Sequence, residues 1–135
     1  MNTRRILMGT IVLGIVGNVL DYLLNNYVWA NTFATLPWLN PTPSLMWLVI
    51  GDFCAGFMLM LAWDRFGAVV GRGTGAGLRF GLFAGAFAGF PSYLFWQMYI
   101  KDFPYTVAWG LLLASVVWYG VLGAVAGMLD GKAAA

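Results

Sequence analysis

The chain has 135 residues, of which 61% are apolar and 17% aromatic, while only 9% are charged. Soluble domains carry ~25% charged residues, so this composition cannot cover a soluble surface. The absence of histidine and the single cysteine, Cys54, exclude the commonest general base, the usual zinc and haem ligand sets and intramolecular disulfides. The composition therefore predicts an integral membrane protein that is not an enzyme, with no catalytic residue, no metal site and no identifiable cofactor.

Four apolar stretches follow one another along the chain. A hydrocarbon core ~30 Å thick requires about 20 helical residues, and each stretch is close to that length or longer. The first stretch is too long for the apolar part of a signal peptide, so we expect it to be retained. The connections are too short to bury a core of their own. We therefore predict one all-α transmembrane domain over residues 1–135, with spans at about Ile6–Val28, Leu45–Trp63, Leu78–Ile100 and Tyr105–Leu129.

The basic residues indicate how the spans are oriented. Six of the seven precede the first span, flank the second connection or follow the last span, whereas residues 29–44 contain none. Lys101 alone is predicted on the outer side, where its neighbour Asp102 makes the turn locally neutral. Positive residues concentrate on the cytoplasmic side of membrane proteins. We therefore expect both termini in the cytoplasm and the protein in the inner membrane of a bacterium. The residues that carry this prediction are Arg4, Arg5, Arg65, Arg72, Arg79 and Lys132.

A weak internal repeat relates the two halves of the chain. A shift of 71 residues places Tyr22-Leu23 on Tyr93-Leu94 and Ala55-Gly56 on Ala126-Gly127. Two halves with the same topology are found in many membrane bundles. The repeat predicts that the four spans form two tandem helical hairpins.

Glycines recur at every fourth residue of the third span, and a shorter series occupies the fourth span. A four-residue step places small residues on one ridge of a helix, as in the GxxxG pattern, and close backbone approach drives helix association in lipid. We predict that this ridge packs the third and fourth spans together; an interface with another subunit is the alternative. The predicted packing residues are Gly77, Gly81, Gly85, Gly89, Gly123 and Gly127.

Pro91 lies inside the third span. Proline has no amide hydrogen, so the carbonyl of Phe87 loses its helical partner and the helix is expected to kink. The hydroxyl of Ser92 is placed to satisfy part of the freed backbone. Pro91 is therefore the predicted hinge.

Two carboxylates, Asp21 and Asp52, are predicted inside the membrane at matched depth, each ~10 Å below the outer boundary. Polar residues spaced by three or four positions form stripes on the first and third spans, and we expect these stripes to face one another. An acidic residue costs ~2.5–3.5 kcal/mol at the centre of a span. The predicted intramembrane polar cluster consists of Asn18, Asp21, Asn25, Asp52, Tyr93 and Gln97.

Three explanations for these carboxylates remain open. Protonated carboxyl groups would donate hydrogen bonds and hold the helices together, hydrated ones would form a proton or cation site, and ones paired with a cation from another chain would mark a subunit interface. Asp64 and Asp130 are expected to be ordinary surface charges beside Arg65 and Lys132.

Two functions are consistent with these features. Small size, glycine ridges and the missing catalytic chemistry favour a non-catalytic structural or accessory subunit that packs in a larger membrane complex or with copies of itself. The alternative is a small proton- or cation-linked transporter or channel that uses Asp21 and Asp52. The expected partners are membrane lipids and other integral membrane subunits, with no nucleic acid, and contacts with a lipid or pigment stay open.

Overall fold

The computed structural model describes residues 2–37, 39–40 and 42–132, except for the side chain of Lys132, one of the residues in the orientation prediction. This part of the chain contains helices and turns but no strand, so the all-α prediction is confirmed. The first long helix, α1, continues through one π-helical segment, Leu24–Val28. The α-helices are α1 Thr3–Leu23, α2 Ala30–Phe33, α3 Leu45–Val70, α4 Thr74–Tyr99 and α5 Tyr105–Lys132.

Three helical segments are long and apolar enough to cross a membrane, which indicates a membrane protein: Thr3–Val28, Leu45–Val70 and Tyr105–Asp130. The helix α4 is as long as α3 but is not one of these segments. Arg79, Gln97 and the glycines of α4 lower its mean hydropathy. Of the four spans that the sequence predicts, three are therefore both long enough and apolar enough to cross a membrane.

Glycine residues set the C-terminal end of α3 and the N-terminal start of α4. The helix α3 continues past Trp63, where the predicted span ends, through Gly67 to Val70, and Gly71 is its C-cap. Gly71 and Gly73 have φ angles of 109° and 87°, a left-handed conformation that side chains disfavour. These two residues make the short turn that reverses the chain from α3 into α4.

The long helices pack mainly as two antiparallel pairs, α1 with α3 and α4 with α5, and fewer contacts join the two pairs. Within the first pair, glycines of one helix receive side chains of the other. A Cβ atom added at Gly9 would lie 2.9 Å from Cγ of Met60, and one added at Gly56 would lie 3.1 Å from Cβ of Leu13. In the first pair, side chains of each helix therefore pack into the space left at the glycines of the other helix.

The second pair packs backbone against backbone. A Cβ atom added at Gly77 would lie 2.9 Å from Cα of Gly127, and one added at Gly85 would lie 2.7 Å from Cα of Val116. The hydroxyl of Ser115 on α5 donates to the carbonyl oxygen of Gly85 at 3.2 Å. The structure thus places all six predicted packing glycines between α4 and α5: Gly77, Gly81, Gly85, Gly89, Gly123 and Gly127.

An ion network joins the helices at the end of the bundle that contains Arg5. The Arg5 guanidinium donates to Asp64 on α3 and to Asp130 on α5. Arg72, in the turn between α3 and α4, donates to both carboxylate oxygens of Asp130, at 2.9 and 2.7 Å. The Asp64 and Asp130 side chains are only 7% and 4% exposed. The expectation that they are ordinary surface charges is wrong, because Arg5 and Arg72 cover them.

We expect the substitution Gly81→Ala to destabilise the fold by about 1–3 kcal/mol, the usual cost of overpacking. The added methyl group would contact the Tyr119 carbonyl oxygen and lie 3.0 Å from Cα of Gly120, and neither backbone atom can move freely. Thermal unfolding followed by circular dichroism in detergent measures the effect. Gly75→Ala is the matched control, because a Cβ at Gly75 has no neighbour within 4 Å. Equal melting temperatures for the two variants would contradict the backbone contact.

We expect Asp130→Asn to lower the free energy of unfolding by up to about 3 kcal/mol, the lower end of the cost of breaking a buried ion pair. The lower end applies because the Arg72 side chain is 61% exposed and water screens its charge. Chemical unfolding in detergent tests this value. Asp102→Asn is the control, since Asp102 is exposed and asparagine tolerates its positive φ of 58°. An unchanged stability of Asp130→Asn would show that the network contributes nothing.

Candidate functional site

A cavity of about 330 Å³ lies between the two helix pairs, away from the Arg5 end. Its volume falls in the range of small-molecule pockets, roughly 300–1,000 Å³. Every long helix contributes to its wall, and so do the π-helical segment and the connection after it. The lining residues are Asp21, Leu24, Asn25, Trp29, Phe33, Asp52, Ala55, Tyr93, Leu111, Ala114, Ser115, Trp118 and Tyr119.

The packing of α1 against α5 sets one boundary of the cavity. A Cβ atom added at Gly17 would lie 2.9 Å from Cζ2 of Trp118 and 3.5 Å from Cβ of Asp52. The missing side chain at Gly17 therefore gives room for the Trp118 ring beside Asp52. Trp118 is 8% exposed and Asp52 is 6% exposed.

The connection after α1 sets another boundary. Leu36 packs with Phe103, Val107 and Ala108, which holds residues of the connection against the start of α5. Trp29 lies over α5, so that a Cβ atom added at Gly110 would be 3.2 Å from Cζ3 of its ring. Trp29 also stacks on Phe33, with ring centroids 5.8 Å apart and planes inclined by 15°. These contacts bring two aromatic rings to the cavity wall.

The two carboxylates, Asp21 and Asp52, line the same cavity, and Trp118 lines it beside them. The Oδ2 atom of Asp52 is buried and has no hydrogen-bond partner, and the same holds for Nε1 of Trp118. None of the described lining residues is a lysine or arginine. Two acidic groups therefore face one another without a cation from the cavity wall.

The structure divides the predicted polar cluster. Asp21, Asn25, Asp52 and Tyr93 line the cavity, whereas Asn18 and Gln97 do not. The Asn18 amide donates to the carbonyl oxygen of Gly14 on its own helix at 2.8 Å.

Gln97 lies in a smaller pocket of about 20 Å³ between α4 and α5, where its Nε2 atom is buried without a partner. Tyr93 is shared by both pockets and is the one residue of the predicted α4 stripe that reaches the carboxylates' cavity.

The predicted hinge, Pro91, occupies an exposed position of α4. The helix is continuous from Thr74 to Tyr99, and Pro91 does not line the cavity. The Ser92 hydroxyl donates to the carbonyl oxygen of Ala88 at 2.7 Å, so Ser92 bonds to the preceding turn of its own helix.

Apart from Tyr93, the aromatic residues of the cavity lining are not among the predicted site residues. Trp118 and Tyr119 are in edge contact, with ring centroids 4.8 Å apart, and both reach the cavity from α5. In an apolar sequence with this many aromatic residues, no spacing separates cavity rings from rings that face lipid. The π-helical segment, which places Leu24 and Asn25 at the cavity, carries no recognisable sequence signal either.

The chain matches no family model, no curated protein and no solved structure. The chain is therefore described by its own helices and cavity. The structure is an all-helical membrane protein with three helices able to cross a bilayer and an acidic, partly aromatic cavity between two helix pairs.

We expect Asp52→Asn to raise the free energy of unfolding by about 1 kcal/mol at neutral pH, because it removes one of two neighbouring acidic groups from a buried site. The melting temperature in detergent, compared with that of Asp102→Asn, measures the change. If the Asp52 carboxyl instead holds the helices together through hydrogen bonds, its replacement lowers the melting temperature. A decrease would therefore exclude the expected role and favour the structural one.

Proposed function

We propose that this chain is a small integral membrane protein that binds a proton or another cation at Asp21 and Asp52 and carries it across the membrane. The single observation that supports this proposal is the buried Oδ2 atom of Asp52, which lacks a partner at a cavity wall beside a second carboxylate. Ionisable groups at membrane depth mark ion pathways and proton relays in many membrane proteins. A cation in the cavity would compensate the charge that the chain itself leaves unpaired.

In this proposal all four long helices cross the membrane. The α4 helix has 26 residues, as α3 does, and its glycine ridge lies directly on the α5 backbone. A helix held this closely to a membrane-spanning partner shares its environment, and the long side chain of Arg79 is able to extend toward the headgroups from the first turns of α4.

The basic end of the bundle is assigned to the cytoplasm. In this proposal the end that carries Arg4, Arg5, Arg72 and Arg79 faces the cytoplasm, both termini lie on that side, and the membrane is a bacterial inner membrane; the concentration of positive residues at this end supports the orientation. The cavity, whose wall includes Trp29 and Phe33, then belongs to the outer half of the protein.

The two ends of the bundle would act differently during transport. The Arg5 network closes the cytoplasmic end with paired charges, while the cavity receives the cation from the outer side. Fewer contacts join the two helix pairs than hold each pair together. Movement of one pair against the other would therefore open the cavity to one side of the membrane and close it to the other. Pro91, on α4, remains the candidate hinge for a bend within the second pair.

The accessory-subunit hypothesis stays a prediction. It expects contacts with other integral membrane subunits or with copies of this chain, and no described contact favours it over a cation site. Gentle extraction from the native membrane, followed by size measurement and mass spectrometry, would support it if the chain migrates with larger subunits at fixed stoichiometry.

Reconstitution in liposomes tests the proposed transport. We expect the purified chain to increase proton or monovalent cation flux down an imposed gradient, measured with a pH-sensitive or cation-sensitive dye. Asp21→Asn and Asp52→Asn should each reduce the rate by about tenfold or more, because a neutral amide does not attract the cation in a low-dielectric site.

Asp102→Asn is the control for the flux measurement, since Asp102 is exposed in the turn before α5. It should transport at the wild-type rate. Equal flux through empty liposomes and through liposomes that contain the wild-type protein would overturn the proposal, and so would full activity of both cavity variants.

A further inference from the structure

The cavity is much larger than a proton or a bare metal ion requires. Its volume is about 330 Å³, and its wall combines two carboxylates with the rings of Trp29, Phe33, Tyr93, Trp118 and Tyr119. A site for a dehydrated metal ion is normally small and surrounded by oxygen ligands. Volume and aromatic lining therefore need a different explanation.

The acidic groups require positive charge in the occupant. Asp52 is 6% exposed, its Oδ2 atom has no hydrogen-bond partner, and Asp21 lines the same cavity. A neutral ligand would leave this carboxylate uncompensated, and an anion would be repelled by both groups. A multivalent metal is disfavoured as well, because no group of three or more histidine, cysteine or acidic side chains is found in the described ranges.

The aromatic rings suit a cation that carries apolar groups. Trp118 contacts Tyr119 at the inner side, and Trp29 stacks on Phe33 where the connection covers the cavity. Aromatic faces attract organic cations with ~0.5–2 kcal/mol per contact, and tryptophan is the strongest of them. Rings near buried carboxylates therefore provide both charge compensation and an apolar surface for one ligand.

We propose that the cavity binds a monovalent organic ammonium ion, with its nitrogen at Asp21 and Asp52 and its apolar substituents against Trp29, Phe33 and Trp118. This assignment names the substrate class of the transport site and rests on the function proposed above. One ammonium group neutralises one carboxylate, and a proton held between the two carboxyl groups neutralises the other.

Binding of tetraethylammonium to the purified full-length chain tests the assignment. Isothermal titration in detergent, at constant ionic strength set with sodium chloride, should show saturable binding to the wild type. Asp52→Asn should weaken this affinity by about tenfold or more. Trp118→Leu should weaken it by about two- to thirtyfold, the range of a lost cation–π contact.

Two further variants keep the test informative if Trp118→Leu fails to fold, since Trp118 is buried in the core. Phe33→Leu changes a half-buried ring of the cavity wall and should weaken tetraethylammonium binding while the circular dichroism spectrum is retained. Trp47→Leu replaces a ring that is 67% exposed and does not line the cavity, so its affinity should equal that of the wild type.

The possible outcomes separate the ligand class from the transport function. Proton or sodium flux that depends on Asp21 and Asp52, without tetraethylammonium binding, would overturn the organic cation and leave transport standing. Asp52-dependent binding without flux of any cation would support the ligand class and overturn transport. Tetraethylammonium binding that is equal in the wild type and in Asp52→Asn would overturn the assignment of the site.

Discussion

Along the contact of α4 with α5, glycine removes the side chains that would otherwise keep the two backbones apart. Lipid tails are as apolar as the helix surfaces, so burial of apolar groups provides little force between helices, and close contact must hold the pair. The contact also fixes the rotation of α5. With Gly120 and Gly123 against α4, Trp118 is turned toward Gly17 and Asp52 in the other pair. The cavity therefore depends on a contact that contains none of its charged residues.

Charge is distributed unequally between the two ends of the bundle. At one end, Arg5 and Arg72 meet Asp64 and Asp130, so two cations and two anions compensate one another within the chain. At the cavity, Asp21 and Asp52 face one another without a basic residue in the described wall. The carboxylates of the first end are therefore paired within the chain, whereas the described wall of the cavity contains no basic residue. This difference is the physical basis for placing function at the cavity and structural support at the network.

Much of the fold could be predicted because long apolar stretches and a four-residue glycine step are local signals. The positions of Asp21 and Asp52 could also be predicted, since each lies a similar distance from the end of its stretch. Other features depend on contacts that spacing does not reveal. Arg5 binds residues 59 and 125 positions away. Asn18 fits the polar stripe, yet its amide bonds to the preceding helical turn at Gly14. Trp29 and Phe33 reach the cavity only because the connection folds back over α5.

The backbone contact between α4 and α5 also has an evolutionary consequence. At Gly77, Gly81 and Gly85 even a methyl group would contact the backbone of α5. We therefore expect few substitutions to be tolerated at these positions. Exposed apolar positions of α4 such as Phe83 and Phe87, by contrast, are expected to exchange freely among apolar residues. Sequences that diverge from this one should therefore lose most of their overall identity while they retain the spacing of these glycines. Distant relatives of this chain would then be recognised by the spacing of these glycines more readily than by overall sequence identity.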